Sequence, residues 1–419
     1  MSKYCIIGAG AAGLAALKIL CDQGFEVDCF ERTDRVGGHW NTDYEALHLI
    51  TSRSLSGYDD YPMPEHWPNF PSRDQLVEFY NGYADRFGLR ERITFETEVV
   101  EVAPAEGDNG LGGWAVTFVD GSTRAYDGVL IANGHLWDPK VPSYPGEYTG
   151  KQLHSAEYLN TGDIEGDRVL VVGTGNSGCD LAVDAAQHRI RTSVSVRQGH
   201  YYQPKTFFGK PRSEIGFLGE LSPSEFDLAT RLLMRVTVGT PAEYGLPMPE
   251  RETLAENAPI VNDLMLYWIQ HGRIEVRPGI ERFDGLNVHF TDGAVEEYST
   301  VLWATGFSPR IPFLAPGLIP ESGEVPLRQG GAIVPVGLEK LYLVGLIAPR
   351  GAQAPVYQIQ SRIIARVLRL HERGMLPEGL GPLLAGQEPE DRIDIVRTDW
   401  LDQIDATERV IRGVEEEMA

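Results

Sequence analysis

The sequence predicts an α/β protein built from two Rossmann-like dinucleotide-binding domains, the first interrupted by the second, and three features carry that prediction. Two Gly-x-Gly-x-x-Gly runs, at residues 8–13 and 173–178, each follow a short apolar run and precede an Ala- or Leu-containing stretch, which reads as strand, tight turn, helix. Strand-like apolar residues return at Leu302-Trp303-Ala304 and at 341–344, after the second unit has ended. The chain of 419 residues exceeds one ordinary core and suits two. The expected division is 1–165 for the first domain, 166–298 for the second, and 299–419 for the return of the first with C-terminal helices.

In chain order, residues 4–7 form an apolar run ending in glycine; an Ala/Leu-rich segment follows to Gln23, and Gly24 then leads to a second strand at 27–30. Residues 93–102 and 114–119, joined by the glycine-rich 107–113 and followed by the Asp120-Gly121 turn, read as antiparallel strands beside this unit. Residues 130–132 lead back into the core. The second unit repeats the grammar with a strand at 169–172, a helix to about His188 and a strand at 192–196. The polar, Pro-rich stretch 201–257 shows no period, which leaves open both helical excursions over an active site and an insertion without function. Residues 357–372 have helical spacing, and the acidic 415–417 suit solvent.

Hydrophobic residues at 42% and charged residues at 23% match a folded globular protein. With 60 acidic against 37 basic residues and a formal charge of -23, nucleic acid and anionic membrane surfaces are repelled. Small molecules are the expected partners, and a homodimer is open. Cys5, Cys21, Cys29 and Cys179 form no C-x-x-C pair and have no His-rich companion, so neither a metal site nor a dithiol centre is expected. They read as small buried hydrophobes of a reducing cytoplasm. Gly8, Gly10 and Gly13 interrupt the N-terminal apolar run too early for an export signal or a membrane span.

In Gly8-Ala9-Gly10-Ala11-Ala12-Gly13 the first glycine makes the tight turn, the second admits a pyrophosphate, and the third allows helix to pack on strand. Glu31, at the end of the second strand, stands where a carboxylate binds ribose hydroxyls and disfavours a 2′-phosphate, so this site suits FAD or NAD. In the second run, Gly173-Thr174-Gly175-Asn176-Ser177-Gly178, the following strand ends in Ser195-Val196-Arg197 with no acid. The Arg197 guanidinium suits the 2′-phosphate of NADPH, with a solvated surface arginine as the plain alternative. Lys205 is a second cation that reads more simply as a surface lysine. Two cradles of different ribose preference point to FAD and NADPH, NADH remaining open, and to electron flow from nicotinamide to flavin.

Val36-Gly37-Gly38-His39-Trp40 is similar to the G-G-x-W element of flavin-containing monooxygenases and their Baeyer–Villiger relatives. Tyr148-x-Gly150-x-x-x-His154-x-x-x-Tyr158 resembles the F-x-G-x-x-x-H-x-x-x-[FY] fingerprint of flavin-containing monooxygenases, with Tyr for the leading Phe. Baeyer–Villiger enzymes usually end that fingerprint with Trp and then Pro or Asp; Tyr158-Leu159 departs from this. Asp60-Tyr61-Pro62-Met63-Pro64 resembles the D-F-P-x-P segment, and Ala304-Thr305-Gly306-Phe307 the A-T-G-[YF] linker. Residues 345–362 resemble the C-terminal flavin-binding region, which carries Gln360 over as a flavin contact. Gly38, Trp40, Thr305 and Gly306 are carried over as cofactor-binding positions in the same way, and His154 as a residue of the domain junction.

The resemblance implies an FAD- and NADPH-dependent monooxygenase. NADPH reduces the flavin, whose C4a-(hydro)peroxide then transfers one oxygen atom to a sulfide or amine. One departure stands out. An ungapped count back from Asp60 puts Ile50 where the family carries an asparagine thought to support the oxygenated flavin and the bound nicotinamide, and an isoleucine side chain donates no hydrogen bond. Thr51 or Ser52 could replace it if the loop shifts. An NADPH oxidase that releases hydrogen peroxide, a Baeyer–Villiger oxygenase and a nicotinamide-sensing flavoprotein remain as rivals. His39, His48 and His66 read as surface or packing residues.

Overall fold

The structure, a computed structural model, describes residues 2–107, 109–251, 253–318 and 325–416. Its first parallel sheet runs Leu341–Leu343, Gly128–Ile131, Lys3–Ile7, Glu26–Phe30, Ile93–Thr94. Side chains alternate across a strand, and both faces of Lys3–Ile7 are covered. Tyr4 and Ile6 meet the core formed with helices Ala11–Asp22 and Ala354–Glu372. Cys5 and Ile7 meet Trp114, Val116 and Phe118 of a three-stranded antiparallel sheet. Burial on both sides is why the strand reads as a continuous apolar run.

The second parallel sheet repeats this plan, in the order Ile274–Arg277, Arg191–Ser195, Arg168–Val172, Thr300–Trp303, Lys151–His154. Val169 and Val171 pack on helix Asn176–Gln187, while Leu170 and Val172 pack on Phe283 and Phe290 of a second antiparallel sheet, built from Ile280–Asp284, Asn287–Phe290 and Val295–Glu297. Each unit is thus a five-stranded parallel sheet with a helical face and a three-stranded antiparallel face.

Two expectations need correction, and one alternative left open is resolved. Lys151–His154 and Thr300–Trp303 pair with each other inside the second sheet, so the boundaries at 166 and 298 fall too far inward at both ends. Ile93–Thr94 closes the edge of the first parallel sheet beside Cys29 and Phe30; the antiparallel sheet begins at Val99. Within 201–257 stands a 15-residue helix, Pro223–Thr237, started by Pro at its first turn and by a Ser222/Glu225 capping box. Its period is inconspicuous in the sequence because its outward face carries apolar Leu228, Leu232 and Val236, the reverse of the usual pattern.

The chain crosses between the sheets twice, at 132–150 and 304–340, and the two crossings are joined where 133–140 lies beside 306–310. Pro139 bridges Phe307 in antiparallel fashion; the Lys140 amide donates to Gly306 O at 2.9 Å and the Ser308 amide to Asp138 O at 2.8 Å. Asn133 Nδ2 donates to Arg310 O at 2.7 Å, and Arg310 pairs with Asp138 at 3.0 Å. All four cysteines are free thiols, with Cys5, Cys29 and Cys179 buried. Burial pushes these thiols well above their ordinary range, which suits packing and not reactivity. Among the described residues no helix is long and apolar enough to cross a membrane.

Candidate active site

The two glycine runs adopt one geometry. Gly8 has φ +102°, and a Cβ there would lie 2.6 Å from Ala132 O; Gly173 has φ +101°, with a Cβ 2.6 Å from Ala304 O. A Cβ on Gly13 would lie 1.9 Å from Gly8 O, and one on Gly178 2.1 Å from Gly173 O. These four positions therefore require glycine for reasons internal to the fold. The middle glycines differ: a Cβ on Gly175 meets nothing within 4 Å, and one on Gly10 meets only the Gly38 backbone, at 3.7 Å. The space they leave is open to a ligand.

Each run ends on a 12-residue helix whose N-cap glycine offers no side-chain cap and whose first turn holds no acid. The leading N–H groups and the positive end of each helix dipole are left for an anion. Both cradles open into one cavity of about 2150 Å³, bordered by Gly8 and Gly10 on one side and by Gly175, Asn176 and Ser177 on the other. Small-molecule pockets span roughly 300–1,000 Å³, so there is room for two dinucleotides and a substrate.

On the first side Glu31 borders the cavity with its carboxylate fixed. It accepts from the Ala9 amide at 2.8 Å, the Thr33 amide at 2.9 Å and the Thr33 hydroxyl at 2.8 Å. Gly37 and Gly38, at φ +105° and +62°, lay their backbone against the loop, the Gly37 amide donating to Ala9 O at 3.0 Å. Trp40 lines the cavity beyond them. Two amide side chains of the wall have buried oxygen acceptors without a partner among the described residues, Asn133 Oδ1 and Gln353 Oε1. Orphaned acceptors of this kind call for a donor supplied from the cavity. Together with the uncapped helix and the Glu31 carboxylate they fit FAD, whose pyrophosphate, ribose hydroxyls and ring N–H match an anion site, an acceptor and further acceptors.

Neither Asn133 nor Gln353 is among the site positions named above from the sequence. Ala132-Asn133-Gly134 follows Gly128–Ile131 just as Ala304-Thr305-Gly306 follows Thr300–Trp303, and both alanine carbonyls face the first glycine of their run; the recurrence was the available signal. Gln360, expected at the flavin, does not line the cavity. Its Oε1 accepts from the Gly345 amide at 3.0 Å and its Nε2 donates to Gly331 O at 3.1 Å. Fully buried behind the wall, it holds in place Gly345, which does line the cavity. Thr305 is likewise occupied elsewhere, its hydroxyl donating to Lys140 O between the crossings, whereas Gly306 faces the cavity.

His154 is 1% exposed and lies off the cavity wall. Its Nε2 donates to Gly306 O at 3.0 Å, and its Nδ1 accepts from the Ala156 amide at 3.2 Å. Burial depresses its pKa, so the ring is neutral with both nitrogens committed, and it positions the crossing without moving a proton. His135, on the wall, donates from Nδ1 to Gly345 O at 3.2 Å; burial lowers its pKa to about 4 and leaves Nε2 as a lone-pair acceptor.

Ile50 and Thr51 line the cavity and Ser52 does not. The Ser56 hydroxyl donates to Ser52 O at 2.8 Å, so at the 2.8 Å contact between Thr51 and Ser56 it is Thr51 that donates. The Thr51 proton is therefore spent inside the loop. Ser52 Oγ reaches Ser54 and Ser213, at 3.2 and 3.3 Å.

On the second side, Gly173 N donates to Ser195 O as Gly8 N donates to Phe30 O. Val196, which is buried, therefore takes the place that Glu31 holds in the first unit, and Arg197 follows it, exposed and off the cavity wall. Lys205 is not a surface lysine. It is partly buried, lies over the Phe70 ring at 5.5 Å and reaches His48 O at 3.5 Å. Its charge draws on Asp180, which is held by Tyr44 at 3.1 Å and Asn262 at 2.8 Å and which burial raises to a pKa of about 6. Tyr158 closes the fingerprint from inside the core, donating to Asp184 at 2.7 Å. No group of three or more His, Cys, Asp or Glu among the described residues could hold a metal ion.

Comparison with known proteins agrees with this geometry. The family described as FMO-like, flavin-binding monooxygenase-like, matches residues 1–378. Flavin-containing monooxygenase 5 of Oryctolagus cuniculus is 33% identical over an alignment of 391 residues that covers 86% of this chain and 72% of that one. Flavin-containing monooxygenase 2 of Homo sapiens is 31% identical over 404 residues, covering 88% and 73%. In fold, the chain is similar to the open crystal structure of cyclohexanone monooxygenase, with a TM-score of 0.73 at 18% identity over 99% of this chain and 98% of that one. Two cradles on one cavity are thus explained by descent as well as by chemistry: the chain belongs to the flavin-binding monooxygenase-like family and is an oxidoreductase that works with FAD and NADPH.

Proposed function

We propose that the enzyme transfers one oxygen atom from O2 to a small soft nucleophile, a sulfide or an amine. The observation that carries this reading is that both cradles open into a single cavity, so a nicotinamide and a flavin can meet beside the Ile50-Thr51 wall. FAD, when bound, supplies the redox and oxygen chemistry. The chain's own residues supply the rest. The two helix N-termini hold the pyrophosphates, Glu31 holds a ribose, and Leu49, Ile50, Leu55 and Trp40 exclude water. His154 and Gln360 steady the Gly306 and Gly345 backbones from behind.

The test is a joint measurement of NADPH consumed, O2 consumed, product formed and hydrogen peroxide released, with and without a simple thioether. Monooxygenation requires a sulfoxide that accounts for the NADPH and a peroxide yield that falls as thioether is added. A peroxide yield equal to NADPH under every condition would favour the oxidase reading, which has one specific support: at Ile50-Thr51 no side-chain donor is free to face the cavity. Ile50→Asn restores an amide and is expected to lower the peroxide fraction severalfold; an unchanged fraction would take this position out of oxygen chemistry. For the dinucleotide, Arg197→Ala is expected to raise the Michaelis constant for NADPH by about tenfold and that for NADH hardly at all, since a charge-assisted bond contributes about 1.5–3 kcal/mol. Equal effects would release Arg197 from the 2′-phosphate.

A further inference from the structure

Six arginines line the cavity, and five have an evident partner. Arg35 pairs with Asp34, Arg231 with Asp227 and Arg350 with Asp394. Arg397 donates to Ala352 O, and Arg32 lies over the Trp137 ring. The sixth, Arg212, has none among the described residues. Its Nε is buried without an acceptor, and no carboxylate draws on its charge. The backbone that carries it is nonetheless held in place, because Arg212 follows the short hairpin Thr206–Phe207/Lys210–Pro211 and its amide donates to Lys205 O at 3.0 Å.

A desolvated guanidinium with no counter-charge is costly, and in a chain of charge -23 acidic partners are plentiful. An unpaired cation on a cavity wall therefore points to an anion that comes with a ligand. Its place identifies which ligand. The next residue, Ser213, also lines the cavity and lies 3.3 Å from Ser52, two positions beyond Ile50. That is the wall assigned above to the reacting centre.

We propose that Arg212 binds a carboxylate on the substrate, so that the preferred soft nucleophile is an anionic one, a thioether or amine bearing an acid group. This rests on the monooxygenase reading for the reaction, and on geometry alone for the binding. Burial lowers the Arg212 pKa from its ordinary value without threatening its charge at neutral pH, so recognition is expected to hold across the physiological range.

The probes are 3-(methylthio)propanoate and 3-(methylthio)propanamide, which differ in charge and little else, titrated calorimetrically into the FAD-loaded enzyme in the presence of NADP⁺. The wild type is expected to bind the acid about tenfold more tightly than the amide, or better, as a charge-assisted bond allows. The preference should vanish in Arg212→Gln and survive in part in Arg212→Lys. FAD content and thermal midpoint are expected to stay put, since the side chain bonds nothing else among the described residues. Equal binding of acid and amide by the wild type overturns the proposal. So does an Arg212→Gln enzyme that keeps the preference but loses affinity for NADP⁺, which would give the guanidinium to a dinucleotide phosphate. If the acid binds through Arg212 and is never oxygenated, the monooxygenase reading fails and the binding site stands.

Discussion

Gly13→Ala is expected to yield little folded protein and no retained FAD, whereas Gly175→Ala should fold, keep FAD and raise the Michaelis constant for NADPH about tenfold or more. The contrast follows from what each new methyl group meets. At Gly13 it would sit 1.9 Å from the Gly8 carbonyl oxygen and 2.9 Å from its carbon. Both atoms are backbone, in a turn already at φ +102°, so relief requires moving the helix off the strand. Overpacking a tight core costs about 1–3 kcal/mol, occasionally more, and a backbone clash without slack belongs at the upper end. At Gly175 the backbone is at φ -68°, which any residue adopts, and no neighbour lies within 4 Å. The methyl group would project only into the space a pyrophosphate needs, and a misplaced phosphate forfeits charge-assisted bonds of about 1.5–3 kcal/mol each. The flavin-to-protein absorbance ratio and the thermal midpoint read the first effect, and steady-state kinetics read the second. A Gly175→Ala enzyme with wild-type NADPH kinetics would mean that the second run cradles no dinucleotide.

Glu31→Ala should weaken FAD binding by roughly 100-fold or more, given about 1–3 kcal/mol for each buried donor left unpaired. The carboxylate does two jobs. It satisfies the buried Ala9 amide and the Thr33 amide, which fix the approach of the loop, and it faces the cavity where ribose hydroxyls would donate. Glu31→Gln keeps an acceptor and should fall between wild type and alanine. Titration of the apoprotein with FAD, followed by quenching of flavin fluorescence, measures both. An alanine variant that binds FAD as the wild type does would place the ribose elsewhere.

Much of this architecture is legible in the residues, and what is not has physical reasons. Gly8, Gly13, Gly173 and Gly178 announce themselves because each is demanded by a backbone contact that tolerates no Cβ, and such demands leave a fixed spacing. Ala132-Asn133-Gly134 is silent because a tripeptide after a strand has no period; only its counterpart around Thr305 gives it meaning. Gln360 and Gln353 show the limit of motif reading. Both lie in the recognised segment, but Gln360 turns inward to hold Gly345, and Gln353, about two helix turns earlier at the helix start, faces the cavity. Lys205 and Arg212 lie in the stretch without a pattern, where burial comes from distant loops such as that carrying His48 and Phe70. The exchange of strands at Lys151–His154 was hidden for a similar reason: four residues of mixed polarity declare a sheet only through their neighbour.

The paired crossings have a mechanical consequence. A single peptide thread between two bodies is a swivel, free to turn about any axis through it. Here two threads are laced edge to edge through Lys140, Gly306, Asp138 and Ser308, with His154 riveted to Gly306 from the second body. Two laced threads restrain the twist that one thread would allow. Because Gly306 and Phe307 belong both to this lacing and to the cavity wall, any shift of one sheet against the other would reshape the cavity.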